Sequence, residues 1–236
     1  MSKTEIIRFL ILRTIGNFLV LFAVFGVVAT FGPSLYYEVS FRIVQARGVK
    51  YVVADETSPL GEILKKQNVQ TEGLSGGFAS VLAGSKEQIL MPKDTDFSIL
   101  IPKLGISSKV FANINPASEN EFLPILQQGV AHAKGTVFPG IPGNIYLFAH
   151  STDNFWNVGR YNAVFYLLKD LVPGDDVIIF FENQRHNYIV TETKILDGDD
   201  TSFLTNSQTG KEVLILQTCW PPGTTWKRLL VFAKPK

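Results

Sequence analysis

The chain has 236 residues, with 22 basic and 21 acidic side chains, a formal net charge of +1 and a hydrophobic fraction of 46 %. Balanced charge excludes the basic footprint of a nucleic-acid-binding protein. The length suits one membrane segment plus one compact domain with its own core, and a lone cysteine excludes an internal disulfide.

Residues 1–14 read as a short cytoplasmic tail carrying Lys3, Arg8 and Arg13. From Ile15 to Tyr37 no charged residue occurs, and about 23 residues at 1.5 Å each reach roughly 34 Å, enough to cross the hydrocarbon layer. A cleaved signal peptide would have a shorter apolar region followed by a small-x-small site. Only Val27-Val28-Ala29 comes near one, so the reading is a retained anchor over 15–37. Arg42, Arg47 and Lys50 follow the span, so charge bias alone does not orient it. The short tail and the C-terminal bulk favour an N-in, C-out anchor.

Residues 38–50 read as a juxtamembrane helix and 51–95 as a tether punctuated by Pro59, Gly73, Gly76-Gly77, Gly84-Ser85 and Pro92. From residue 96 the pattern changes to short strands rich in Val, Ile, Phe and Tyr. They are predicted over Phe97–Ile101, Lys109–Asn113, Asn144–His150, Asp176–Phe181, Arg185–Thr193, Glu212–Thr218 and Leu229–Ala233. Glu182-Asn183-Gln184 supplies a hairpin turn. Asn120–Gln128 and Ala163–Lys169 are short helical candidates, and Gly129–Thr136 reads as loop. Many strands and few helices predict a mostly β domain over 96–236, a closed or nearly closed barrel.

Cys219 ends the apolar run Val213–Thr218 and precedes Trp220-Pro221-Pro222-Gly223, which stops the strand and leaves the thiol at a sheet edge. Arg228 opens the next apolar run. Antiparallel pairing of the two would set guanidinium opposite thiol, where a cation lowers a thiol pKa and a fork of donors can hold an oxyanion. Three histidines are candidate bases. His150 leads because a strand end holds a side chain rigidly yet open to substrate. His132 lies in the loop-like segment, and His186 reads as a solvated hairpin residue. One Cys and three scattered His lack zinc-site spacing. Asp197-Gly198-Asp199-Asp200 reads as a turn rather than an EF-hand loop. No cofactor is expected, with calcium dependence left open.

These residues resemble a known family, the sortases, membrane-anchored cysteine transpeptidases of bacterial surfaces. Ile99-Leu100-Ile101-Pro102-Lys103-Leu104-Gly105-Ile106 looks like that family's first barrel strand. Gly129-Val130-Ala131-His132, then Gly135-Thr136, Pro139-Gly140 and Gly143-Asn144, resembles the run that leads to its catalytic histidine, whose place His150 takes. Leu216-Gln217-Thr218-Cys219 resembles the Thr-Leu-x-Thr-Cys signature, with Ile215 in place of the first Thr, and Arg228 stands where the family's arginine stands. The layout, with its long segment 38–95 and with Trp220 and Trp226 after the cysteine, is closer to the class D or E type than to the pilin-polymerising type.

The resemblance implies a closed eight-stranded barrel with short helices behind the transmembrane helix, on the outer side of a cell membrane. It implies acyl transfer from an LPXTG-like sorting signal on surface proteins, through a Cys219 thioester, to an amine acceptor. His150 would move the protons and Arg228 would hold the oxyanion. Thr218, His132 and Trp220 would support the site or bind substrate, and Asp153 is a candidate for orienting His150. Nucleic acid is not among the implied partners. The rivals are a membrane-tethered β-barrel that only binds and a sortase-like cysteine peptidase that mainly hydrolyses. An L,D-transpeptidase would need a His-Gly-Cys motif, which is absent, and a papain-like peptidase would have Cys before His.

Overall fold

A computed structural model describes residues 2–53, 87–151, 164–201 and 210–236. Helix α1 (Lys3–Ala46) is one continuous element of 44 residues, closed at its start by a capping box between Ser2 and Glu5. Ser2 Oγ accepts from the Glu5 N–H and the Glu5 carboxylate accepts from the Ser2 N–H, so two of the helix's unpaired donors are satisfied. The helix contains the whole apolar run 15–37. Within it, Lys3–Ala29 is long and apolar enough to cross a bilayer, and none of its most apolar window is buried.

The last turns of α1 do not lead into a free tether. Ser40, Phe41 and Val44 are buried, with Phe41 packed into the main core. Strand β1 (Lys50–Val53) follows and pairs in parallel with β2 (Glu87–Leu90). Tyr51, Val53 and Leu90 of this small sheet lie on Leu100, Ile178 and Phe180. The described ends of the expected tether are therefore laid on the barrel, because they carry apolar side chains that cover its outer wall. Residues 54–86 fall outside the described residues. Gly105 shows how tight the fit is: its φ is +65° and an added Cβ would stand 2.8 Å from the Tyr51 ring.

The barrel comprises β3 (Phe97–Ile101), β4 (Ile106–Ile114), β5 (Val130–Ala133), β6 (Gly143–Phe148), β7 (Asp176–Phe181), β8 (Gln184–Asp197), β9 (Glu212–Trp220) and β10 (Lys227–Pro235). It closes in the order β10-β8-β7-β3-β4-β5-β6-β9, so no edge is left for foreign pairing. The predicted hairpin is present, with Phe181 opposite Gln184 and with Glu182 and Asn183 both at positive φ, the primed-turn geometry. Alternation sends Ile145, Leu147, Leu214, Leu216, Leu229 and Val231 inward. It sends Tyr146, Phe148, Ile215 and Leu230 to an outer cluster partly covered by α2 (Glu119–Leu126).

The expected loop at 129–136 contains β5, which lies parallel to β4 and antiparallel to β6. All four of its residues are buried, so the alternation that marks a half-exposed strand is missing. His132 of β5 is fully buried. Its Nδ1 accepts from the Asn113 N–H at 3.3 Å, while Nε2 lies 3.1 Å from the Val137 carbonyl and 3.0 Å from Thr136 Oγ1. Asn113 sits at φ +59°, where the β4–β5 register shifts, so His132 ties down an irregular stretch. Burial lowers the pKa of His132 against a smaller opposing effect of the Val137 hydrogen bond.

The folded chain thus resists protonating His132, whereas the unfolded chain takes a proton near pH 6.5. Below that pH the unfolded state binds more protons, and stability is lost as pH falls toward the depressed folded value. The expected slope is up to about 1.4 kcal/mol per pH unit. Denaturant melts between pH 7.5 and 5.5 should show this slope in the parent and a flatter one in His132→Gln. Equal slopes would mean that His132 is not held neutral.

Candidate active site

β9 and β10 are antiparallel neighbours with Arg228 directly opposite Cys219. Cross-strand partners share a face, and Arg228 Nη1 lies 3.8 Å from Cys219 Sγ. The same nitrogen is 2.9 Å from the Thr225 carbonyl and 3.2 Å from the Lys227 carbonyl. These contacts fold the guanidinium back over the Pro221–Trp226 loop and hold it beside the thiol.

β6 runs parallel to β9, with Phe148 level with Gln217 and the Ala149 N–H donating to the Gln217 carbonyl. Continuing that register brings His150, just past the strand, level with Cys219. The His150 carbonyl accepts from the Phe165 N–H at 3.2 Å, which fixes the backbone there against the turn at Tyr166–Asp170. His150, Cys219 and Arg228 thus come from three adjacent strands at one end of the barrel, and all are half-buried. Asp153 lies outside the described residues.

The remaining expected site residues are distributed differently. Thr218 is buried and faces the interior, where its hydroxyl donates to the Ala149 carbonyl at 3.0 Å. It therefore clamps β9 to the end of β6 rather than reaching the thiol. Trp220 is part-buried against the main core and closes the barrel beneath the site. His132 is inside the barrel, two strands from Cys219. His186 pairs with Ile179 toward the other end, 3.3 Å from where a Cβ on Gly140 would stand. Of the three histidines, only His150 is brought level with the thiol.

Burial dominates the electrostatics of the thiol. It pushes the Cys219 pKa up, and Arg228 offsets only part of that rise. Arg228 lowers it, as a neighbouring cation should, but taking the sulfur out of water raises it by more.

Tyr146 of β6 and Gln217 of β9 lie on the outer face that also carries Cys219. The Tyr146 hydroxyl donates to Gln217 Oε1. Burial pushes its pKa well up, with opposing influences from Arg228 and Cys219, so the phenol stands within electrostatic reach of both. The sequence signal for this pair is period-two alternation: Gln217 is two residues before Cys219, and Tyr146 is four before His150. Among the described residues, no group of three or more His, Cys, Asp or Glu is placed to hold a metal ion.

With this geometry in place, comparison with known proteins is informative. The Sortase domain family model matches residues 99–236. Sortase D of Bacillus subtilis (strain 168) is 34 % identical over 112 residues, which is 46 % of this chain and 51 % of that protein. The match thus spans about half the length of the curated relative. Sortase C-1 from Actinomyces oris superposes with a TM-score of 0.50 at 25 % identity, over 61 % of this chain and 76 % of the other. Sortase C1 from Streptococcus suis gives 0.50 at 26 %, over 59 % and 71 %. Clostridium perfringens sortase C, solved with the C-terminal cell wall sorting motif, gives 0.50 at 25 %, over 59 % and 69 %.

Proposed function

The chain belongs to the sortase family, and from that premise we propose that it is a cysteine transpeptidase with Cys219 as nucleophile, His150 as acid–base and Arg228 as oxyanion holder. The observation that carries the reading is the cross-strand pair of Cys219 and Arg228, 3.8 Å apart, level with His150. The acyl donor is an LPXTG-like sorting signal on a surface protein. The sorting motif held by the Clostridium perfringens relative supports that class of donor.

His150 takes the proton from the Cys219 thiol, and the thiolate attacks the Thr–Gly carbonyl. The carbonyl π electrons move to oxygen, giving an oxyanion opposite the Arg228 guanidinium. Collapse breaks the C–N bond, and His150 returns its proton to the leaving amine, so a thioester remains on Cys219. In the second half His150 accepts a proton from the incoming amine, the amine attacks the thioester, and the thiolate leaves. The raised thiol pKa supports this order, since little thiolate is present before the base acts. Every step uses side chains alone. Tyr146 and Gln217, on the same outer face as Cys219, flank the reacting carbonyl. We also propose that α1 anchors the protein with its N-terminus in the cytoplasm and the barrel outside.

The test is turnover of an LPXTG-like peptide library with and without an added amine. New amide product that depends on the amine supports the transpeptidase. Hydrolysis unaffected by amine would replace it with the peptidase reading. No turnover of any library member would leave a tethered binding module.

A further inference from the structure

The end of the barrel at which the anchor helix docks can be traced by strand direction. β3 ends at Ile101 and enters the turn Pro102–Leu104. β7 begins at Asp176, antiparallel to β3, with Leu100 opposite Ile178 and Phe97 opposite Phe181. β8 returns antiparallel to β7 from Gln184, and its final residues Leu196 and Asp197 face Arg228 and Lys227 at the start of β10. The end of β3, the starts of β7 and β10 and the end of β9 therefore lie at one end of the barrel, and Cys219 is among them.

α1 docks at this same end. Glu38 bonds Lys169 at 2.5 Å, Arg42 reaches Asp170 at 3.3 Å, and Gln45 Nε2 donates to the Lys103 carbonyl at 3.3 Å. Phe41 is buried with Leu104 and Leu167 in the same core cluster. Two turns of the barrel end thus grip one helix by packing, ion pairs and a side-chain hydrogen bond to a carbonyl, so the helix direction and the barrel end are fixed together. The uncharged run of α1 ends at Tyr37, directly before Glu38, so the docked turns begin where the apolar run stops. Among the described residues, large apolar side chains left open to solvent toward this end include Trp226, 75 % exposed, Val172, 51 %, and Ile195, 47 %. Tryptophan at the end of a domain on which a membrane-entering helix docks suits the headgroup layer.

We propose that the Cys219 end of the barrel faces the bilayer that α1 enters, with Trp226 and Val172 turned toward the lipid headgroups. The occupant of this surface is the lipid, because the helix gripped by the same turns runs into it. Polypeptide reaches Cys219 through the layer between barrel and membrane, at a height set by the docked helix. The inference rests on the anchoring part of the proposed function but on none of its chemistry.

The test uses the full chain in nanodiscs of phosphatidylcholine and phosphatidylglycerol carrying acceptor-labelled headgroups. In a Cys219→Ala background, a donor dye is placed at Trp226→Cys or at Gln184→Cys, both exposed positions, the latter at the opposite barrel end. Nine residues of β9, tilted as barrel strands are, separate the ends by about 20–25 Å. Energy transfer to the lipids should be at least about twofold greater from position 226, as follows from that separation. Equal transfer would mean a barrel that swings freely, and greater transfer from position 184 would turn the site away from the membrane. Absence of transfer from both would remove the anchor itself. Each of these three outcomes overturns the proposal, and none depends on turnover.

Discussion

Cys219→Ala is expected to abolish amide transfer and peptide cleavage while leaving the fold intact, and Cys219→Ser to leave at most a trace. The alanine removes the only thiol in the chain. Serine keeps an atom in place, but its hydroxyl is a far weaker nucleophile than a thiolate at neutral pH. The position is half-buried on the outer face of β9 rather than in the main core. Losing the sulfur there should therefore shift the melting temperature by only a few degrees, as expected for less than about 1 kcal/mol. Activity and melting measured on the same preparation separate a lost nucleophile from a lost fold. Full activity in the alanine variant would remove Cys219 from the chemistry.

Arg228→Lys should lose roughly 10²-fold or more in kcat, by the size of effect seen when an oxyanion donor is removed. Lysine keeps the charge but not the planar fork of donors. Alkylation of Cys219 against pH distinguishes this role from a purely electrostatic one. Burial raises the thiol pKa and Arg228 opposes the rise, so Arg228→Ala should move the alkylation midpoint to still higher pH. Arg228→Lys should leave the midpoint nearer the parent value while the catalytic rate stays low. If Arg228→Lys turned over like the parent, the guanidinium would not hold the oxyanion.

The residues that meet at the candidate site were readable because strand ends and turns are local signals. Pro221-Pro222-Gly223 marks where β9 must stop, and the apolar run after Arg228 marks where β10 begins. An antiparallel return then sets residue 228 opposite residue 219. The β7–β8 hairpin was legible for the same reason. Strand β5 was not: buried on both sides, Val130–Ala133 has no alternation, and its partners come from β4 and β6.

The docking of α1 was also hidden, although its signal lies in the sequence. Ser40, Phe41 and Val44 recur at helical spacing and are buried. Glu38, Arg42 and Arg47 lie among them, and the segment read only as a juxtamembrane helix. Those charges are instead part of the grip, two of them pairing with Lys169 and Asp170 across the seam. The parallel pairing of β1 with β2 joins residues 50–53 to 87–90, a long-range contact that no local pattern announces. The burial of the thiol, which outweighs the lowering effect of Arg228, was not legible for a related reason. A cation nearby can be inferred from strand pairing, but how far the sulfur is withdrawn from water depends on the packed loop around it.

The most direct measurement is the mass of the protein after brief incubation with an LPXTG-like peptide in the absence of amine. The account predicts a gain equal to the acyl fragment ending at Thr, located on Cys219, labile to hydroxylamine and discharged when an amine is added. Cleavage of the peptide with no adduct on Cys219, or with the adduct on another residue, would contradict it.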